Sequence, residues 1–228
     1  MSGIREKFIQ GGGIFFDSEE NITKELVKIK VFIFDWDGVF NDGSKGSGFG
    51  SGFSEADVMG LNMLRFNHWR IHEELPLVCI ITGENNTTAI ELAKREHFNA
   101  VFLRFLNKRK ALESIAGTYK VSYDEMAFIF DDILDVDAAG MCKLSFCVRR
   151  NASPLFQDYL IENNICHYMT GHEGGHHAVR EISELIIGLT GEYNKTIRKR
   201  IEFGEDYQQY LSRRNRIDTE IENFTLNL

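Results

Sequence analysis

Short apolar runs alternate with stretches of helical periodicity along the middle of the chain. Five runs are rich in β-branched or aromatic residues and have the length of buried strands, namely residues 31–34, 77–81, 100–103, 127–130 and 144–148. Apolar residues three or four positions apart indicate helices within 57–72, 89–93, 111–119 and 179–189. This alternation of strands and helices predicts an α/β fold with a parallel sheet.

Both ends of the chain lack this alternation. Residues 1–28 are mixed and polar, and we expect an N-terminal extension that packs a strand or helix on the domain edge. Residues 29–190 are predicted to form the α/β domain. Residues 191–228 carry balanced charges, with Ile197, Ile201 and Leu211 as the docking face of a weakly attached helix. We therefore expect a polar, helical C-terminal tail that is solvated or covers a partner.

The composition narrows the classes of function. The 228 residues include 34 acidic and 26 basic side chains, a net charge of -8, so we expect no nucleic-acid partner. No apolar run approaches the ~20 residues of a membrane helix, and the N-terminus shows no signal-peptide core, so no membrane partner is expected. The four cysteines form no C-x-x-C pair, which favours reduced thiols and a cytoplasmic location.

Acidic side chains follow two of the predicted strands. Asp35 and Asp37 come directly after the first, and their spacing of two places both side chains on the same side. Asp131, Asp132 and Asp135 follow the fourth. A solvated turn would explain the first pair alone. Two acidic strand ends meeting at one edge of a parallel sheet instead predict an oxygen-rich site for Mg²⁺.

Two further segments bring groups that suit a phosphate. Thr82 and Gly83 follow another predicted strand, where a hydroxyl and free backbone N–H groups form an oxyanion cradle. Lys108 opens a predicted helix, and its ammonium can neutralise a phosphate.

These segments resemble the four motifs of haloacid dehalogenase superfamily phosphotransferases. They are D-W-D-G-V at 35–39, I-T-G at 81–83, Lys108 and D-D-I-L-D at 131–135. The resemblance implies a Rossmann-like sheet and a set of roles. Asp35 would be the nucleophile that forms an aspartyl-phosphate, and Asp37 the acid/base. Thr82 and Lys108 would hold the phosphoryl oxygens. Asp131 would bind Mg²⁺ with Asp35 and the Asp37 carbonyl.

The same resemblance implies supporting roles for Gly83, Asp132 and Asp135, at the metal site or beside Lys108. Phe130 stands where the family usually has Gly, which leaves the roles of Asp131 and Asp132 open to exchange. The second aspartate, at position 37, fits phosphatases and phosphomutases better than ATPases or dehalogenases.

The spaces between motifs leave no room for a separately folded cap domain. The glycine-rich stretch 42–53 is either a flexible loop or a projecting hairpin. Three segments resemble the cap-less branch of the superfamily that includes 3-deoxy-D-manno-octulosonate 8-phosphate phosphatases. They are D-G-V-F-N-D-G at 37–43, the pattern formed by Phe53, Asp57 and Gly60, and residues 174–181. Its members are tetramers in which a neighbour's C-terminal segment covers the site. The resemblance therefore implies a homotetramer.

Departures from that branch bear on the substrate. Glu84 and His176 occupy positions where Arg is usual, and with Asp57 they are predicted substrate-binding residues. Glu84 after Thr82-Gly83 is more similar to the phosphatases of nine-carbon 2-keto acid 9-phosphates. For His172, His176 and His177 a polar loop before a helix and a zinc site are the alternatives to a substrate contact.

The sequence thus predicts a Mg²⁺-dependent phosphatase of a phosphorylated 2-keto sugar acid, with a nine-carbon substrate favoured. The alternatives are the eight-carbon acid phosphate, another sugar phosphate, and a non-catalytic domain that binds a partner through its tail. Phosphomutase activity is disfavoured because it requires a cap to reorient an intermediate away from water.

Overall fold

The computed structural model describes residues 3–46 and 51–224. Within them the strands are β1 (Ile14–Phe15), β2 (Val31–Asp35), β3 (Leu77–Ile81), β4 (Ala100–Leu103), β5 (Met126–Phe130), β6 (Leu144–Arg149), β7 (Tyr168–Glu173) and β8 (Glu220–Asn223). The helices are α1 (Ile4–Gln10), α2 (Glu19–Leu26), α3 (Glu55–His72), α4 (Thr87–Glu96), α5 (Lys108–Tyr119), α6 (Val136–Met141), α7 (Pro154–Glu162), α8 (Ala178–Leu189), α9 (Tyr193–Glu202) and α10 (Glu205–Arg214). Single 3-10 turns lie at Tyr123–Glu125 and Ile133–Asp135.

The described strands form one sheet in the order β1-β7-β6-β5-β2-β3-β4-β8, with β2 inside it. Every pair except the antiparallel β1–β7 edge is parallel. The five predicted strands and the α/β fold class are therefore confirmed. The crossover at β2 places the carboxyl ends of β2, β3 and β5 side by side, which is where ligands bind in open α/β sheets.

The alternation of side chains along β2 divides the core into two halves. Phe32 and Phe34 pack into the cluster that contains the apolar faces of α3 and α8. Val31 and Ile33 pack on the other side, with residues of α5 and α6. Because helices cover both faces of the sheet, the side chains of central strands such as β2 and β5 are buried throughout, and continuous apolar runs result.

The N-terminal residues pack on the edge of the sheet. β1 pairs with β7 through Ile14 and Phe15, opposite Met169 and Tyr168. The α1 side chain of Ile4 lies against Gly188 of α8. The extension thus covers one end of the α/β domain, and 1–28 stays a proposed boundary.

The C-terminal residues pack against their own chain. Tyr207 and Tyr210 of α10 contact the ring of Phe66 in α3, with ring centroids 4.9 and 5.2 Å away. β8 adds to β4. The described part of the tail therefore packs one face on its own chain, while most of its residues are exposed. Ile201, expected to help it dock, is 75% exposed, and the two tyrosines anchor it instead.

No separate cap domain interrupts the described parts of the connections from β2 to α3 and from β3 to α4. The proposed hairpin includes residues 47–50, which lie outside the described residues, so it stays a prediction. The four cysteines are free and buried. Among the described helices, none combines the length and apolar character needed to cross a membrane.

Candidate active site

A polar cavity of about 270 Å³ opens at the carboxyl edge of the sheet. Its lining contains most of the predicted site residues, namely Asp35, Asp37, Thr82, Gly83, Glu84, Lys108, Asp131, Asp132 and Asp135. Two further cations, Lys45 and Arg150, also line it. The motifs separated by about a hundred residues in the sequence therefore share one cavity.

Three buried carboxylates converge on its floor. Oxygen atoms of Asp35, Asp131 and Asp135 lie within 4.8 Å of one another, and the residues are only 6%, 1% and 1% exposed. Burial raises the pKa of each to about 6, and repulsion from a neighbouring carboxylate adds to the rise. Like charges held this closely favour a bound cation, and an all-carboxylate donor set suits a hard divalent ion such as Mg²⁺.

Lys108 bridges two of these carboxylates. Asn107 caps α5 by accepting a hydrogen bond from the Arg109 N–H, which fixes Lys108 as the first helical residue. Its ammonium lies 2.6 Å from Asp35 Oδ1 and also contacts Asp135. Burial alone would lower the pKa of Lys108, but attraction from the two carboxylates raises it above its usual value. The ammonium is therefore charged and ready to meet a phosphoryl oxygen.

Asp37 lines the same cavity but is not part of the three-carboxylate cluster. Ser51 Oγ and Asn86 Nδ2 donate hydrogen bonds to its carboxylate, both at 2.9 Å, and Lys45 lies 3.2 Å away. Asn86 also donates to Thr82 Oγ1 at 2.8 Å. This network holds the proposed acid/base and the proposed phosphoryl-binding hydroxyl in a fixed relation.

Two of these residues were missed by sequence reasoning. Asn86, the residue before α4, links Asp37 and Thr82. Arg150 follows β6, its Nε donates a hydrogen bond to Asp131 Oδ2 at 2.5 Å, and its Nη2 also lies 2.5 Å from the same oxygen. The available signal for Arg150 was its position, since it follows the strand that neighbours β5 at the same sheet edge.

Asp132 and Asp135 take different places. Asp135 joins the buried cluster and contacts Lys108. Asp132 is exposed, and its carboxylate accepts the Ile133 N–H at 2.7 Å, which caps the following 3-10 turn. Of the two adjacent aspartates, Asp131 therefore lies in the buried carboxylate cluster, whereas Asp132 caps the local turn and lines the cavity.

Asp57, a predicted substrate contact, does not line this cavity. Asp57 is fully buried outside the cavity lining, and its Oδ1 accepts the Arg180 N–H at 2.8 Å. It therefore caps the first turn of α8 and fixes that helix against α3. The substrate contact that its motif position suggested stays a prediction.

The histidines lie outside the main cavity. His176 is exposed and borders a small adjacent cavity with Gly38 and Arg150, so its substrate contact stays a prediction. His172 Nδ1 lies 2.6 Å from Glu181, and His177 Nδ1 lies 3.1 Å from Ser54 Oγ. Within the described ranges, the three aspartates are the group of His, Cys, Asp or Glu residues that converges as metal ligands do, so the zinc alternative finds no support.

The turn after β2 carries Asp37 and is built around close backbone contacts with Gly174. A Cβ at Gly174 would clash with the Gly38 carbonyl and lie 2.5 Å from the Asn41 carbonyl oxygen. We expect Gly174→Ala to lower the free energy of unfolding by about 2 kcal/mol and to reduce activity, because that turn must shift. Denaturant unfolding measures the first effect.

Gly117→Ala in α5 is the matched control. A Cβ there meets no atom within 4 Å, so the change should stabilise the helix by about 0.5–1 kcal/mol. Equal stability of wild type and Gly174→Ala would show that the turn accommodates the methyl group.

No protein-family model matches the chain. It is 27% identical over 176 residues to the 3-deoxy-D-manno-octulosonate 8-phosphate phosphatase of Haemophilus influenzae, which covers 75% of this chain and 89% of that protein. A HAD superfamily (subfamily III A) hydrolase from Legionella pneumophila superposes with a TM-score of 0.66 and 26% identity, covering 80% of this chain and 95% of the other.

The fold also matches the 3-deoxy-D-manno-octulosonate 8-phosphate phosphatase of Moraxella catarrhalis, solved with a magnesium ion, a phosphate ion and KDO. The TM-score is 0.65 at 23% identity, over 79% of this chain and 98% of the other. By sequence, fold and its converging acidic motifs, this chain is a phosphatase that resembles those of the haloacid dehalogenase superfamily, among them the 3-deoxy-D-manno-octulosonate 8-phosphate phosphatases.

Proposed function

We propose that the chain is a Mg²⁺-dependent phosphatase that hydrolyses a phosphorylated 2-keto sugar acid through an aspartyl-phosphate on Asp35. The observation that carries the proposal is the buried contact between Lys108 and Asp35, next to Asp131 and Asp135. A binding module has no need of a buried carboxylate held by a lysine in a polar cavity. The magnesium and phosphate found with the Moraxella catarrhalis protein support the same chemistry.

The proposed reaction has two steps. An Asp35 carboxylate oxygen attacks phosphorus, the P–O bond to the sugar breaks, and Asp37 gives its proton to the leaving sugar oxygen. Asp37 then takes a proton from water as the water oxygen attacks phosphorus, which releases phosphate and restores the Asp35 carboxylate. Thr82 and Lys108 hold the phosphoryl oxygens in both steps, and the Asn86 bridge keeps Thr82 and Asp37 in register.

Asp35, Asp131 and the Asp37 carbonyl are the proposed Mg²⁺ ligands, with Asp135 completing the acidic cluster. When bound, the ion supplies positive charge that offsets the repulsion between the Asp35 carboxylate and the phosphate. The Gly83 backbone supports the phosphoryl group beside Thr82, in the cavity lining. We place this activity in the cytoplasm, in keeping with the four buried free thiols.

The proposed substrate is a nine-carbon 2-keto acid 9-phosphate or a broader set. Glu84 lines the cavity with its side chain 64% exposed, 3.8 Å from Lys45. A carboxylate there repels a substrate carboxylate and suits sugar hydroxyls instead. The eight-carbon acid phosphate is the second candidate, because it is the substrate in the names of the curated relatives.

Glu84→Arg tests this assignment. We expect the ratio of kcat/KM values to shift about a hundredfold toward the eight-carbon phosphate, because Arg binds a carboxylate with two donors. Glu91→Arg, with the same charge change at an exposed position of α4, should leave the ratio unchanged. A wild-type enzyme that already prefers the eight-carbon phosphate a hundredfold would contradict the role given to Glu84.

We also propose a homotetramer whose neighbouring subunits close the site. Leu106 and Leu134 border the cavity while 68% and 70% exposed, and Ile133 beside them is 67% exposed. Apolar side chains around a polar opening are typical of a surface that another molecule covers. Since the described C-terminal residues pack on their own chain, another part of the neighbour would make the contact.

Light scattering at micromolar concentration should therefore give four times the chain mass of 26.2 kDa. Leu134→Glu should lower that mass and reduce activity together, whereas Leu155→Glu, at an exposed position outside the cavity lining, is the control. A fully active monomer would count against closure by a neighbour.

The proposed function itself is tested by phosphate release from a panel of sugar phosphates, with Mg²⁺ and with EDTA. The panel contains eight- and nine-carbon acid phosphates and matched sugar phosphates without a carboxylate. Chelator-sensitive release from the acid phosphates is expected. No release from any member, by folded protein with Mg²⁺, would favour the non-catalytic alternative.

A further inference from the structure

Arg150 is bound to the buried cluster in a way that the proposed reaction does not use. Its Nε donates to Asp131 Oδ2 at 2.5 Å, and its Nη2 lies at the same distance from that oxygen. The Asp131 side chain is 1% exposed and that of Arg150 is 35% exposed. The pair therefore joins the floor of the cavity to its rim, with the charged end of Arg150 on a proposed metal ligand.

The fold makes room for this guanidinium. A Cβ at Gly38 would clash with Arg150 Nη2, and a Cβ at Gly43 would lie 3.3 Å from the same atom. Gly38 has a φ of +88°, so the turn after β2 already requires glycine there. The arginine is packed beneath that turn, which distinguishes it from a solvated surface ion pair.

Each carboxylate of the cluster thus has a cationic partner within the chain. Lys108 contacts Asp35 and Asp135, and Arg150 contacts Asp131. Three negative charges are offset by two positive ones before any metal arrives. A divalent cation bound to the cluster would share Asp131 with Arg150, and the positive charge of the guanidinium would repel it.

We propose that Arg150 is a positioning residue that acts through Asp131 as a built-in counter-ion and sets the affinity for the divalent metal. Without a metal, the Arg150 charge stabilises the three carboxylates. The same charge lowers the affinity of the cluster for a divalent ion. The inference rests on the proposed Mg²⁺ site, and it concerns how tightly this chain holds the ion rather than which reaction it performs.

The test is calorimetric titration of Mg²⁺ into the full chain, repeated with Mn²⁺. Arg150→Met should bind both ions about tenfold more tightly than wild type, because a nearby positive charge is gone. Arg149→Met is the matched control. It removes the same charge one residue away, where the guanidinium donates to the Thr170 and Gly12 carbonyls, and it should change the dissociation constant less than twofold.

Thermal unfolding supplies the second readout. With EDTA, Arg150→Met should melt below wild type, because three buried carboxylates then share one cation; with saturating Mg²⁺ the gap should narrow. Arg150→Gln, which keeps an N–H donor for Asp131 without the charge, should show the same tighter binding and serves if the Met variant does not fold.

Unchanged or weaker metal binding in both Arg150 variants overturns the inference. That includes the case in which Arg150 is only a substrate contact, where KM rises and the metal dissociation constant stays the same. Folded wild type that binds no divalent ion would instead refute the proposed metal site, so the two failures are distinguishable.

Discussion

Asp35→Asn is expected to lower turnover by at least about a thousandfold while the fold is retained. An amide at position 35 removes the nucleophile and one ligand of the metal cluster, while Lys108 keeps its contact with Asp135. Phosphate release from p-nitrophenyl phosphate, measured with Mg²⁺ and with EDTA, gives the comparison. Circular dichroism confirms that the variant is folded.

Asp132→Asn is the control for this change. Its carboxylate is exposed and caps a local turn, so the same substitution three residues from Asp135 should alter activity less than severalfold. If Asp35→Asn retains wild-type turnover, or if chelation leaves wild-type activity intact, the assigned mechanism is wrong.

Lys108→Met is expected to destabilise the protein by about 3–5 kcal/mol and to abolish activity. The lysine is 6% exposed and lies between two buried carboxylates, and breaking a buried ion pair leaves the remaining charges uncompensated. Denaturant unfolding in EDTA measures the loss. Saturating Mg²⁺ should restore part of the stability, since the ion offsets the same charges.

Lys45→Met provides the comparison for Lys108. Lys45 lines the same cavity, but its side chain is 51% exposed and its contact with Asp37 is partly solvated. Stability should change by less than about 0.5 kcal/mol. Equal effects of the two substitutions would mean that burial of the Lys108 contact is not what stabilises the cluster.

The central part of the fold could be predicted because β2 to β6 are buried on both faces, so that each of these strands is a continuous apolar run in the sequence. β8 could not be found this way, because its four residues are exposed, three of them are polar, and they gain their place only by pairing with β4. β1 has two residues and depends on β7. Long-range pairing, which leaves no local periodicity, decides these edges.

The site shows the same division. Asp35, Thr82 and Lys108 stand at strand ends or a helix start, so local sequence and sheet topology suffice to bring them together. Asn86 and Arg150 bind partners that lie 49 and 19 residues away in the sequence. Local spacing patterns do not predict contacts between residues so far apart. Asp57 shows the converse, since its motif position suggested binding whereas burial against α8 makes it a helix cap.

The most direct test of the account is to trap the phosphorylated enzyme. Wild type is mixed with ³²P-labelled substrate and Mg²⁺, quenched in acid within the first turnover, digested and analysed by mass spectrometry. A phosphoryl label is expected on the peptide that contains Asp35, absent with EDTA and absent in Asp35→Asn. Normal turnover with no labelled peptide, or with the label on another residue, would contradict it.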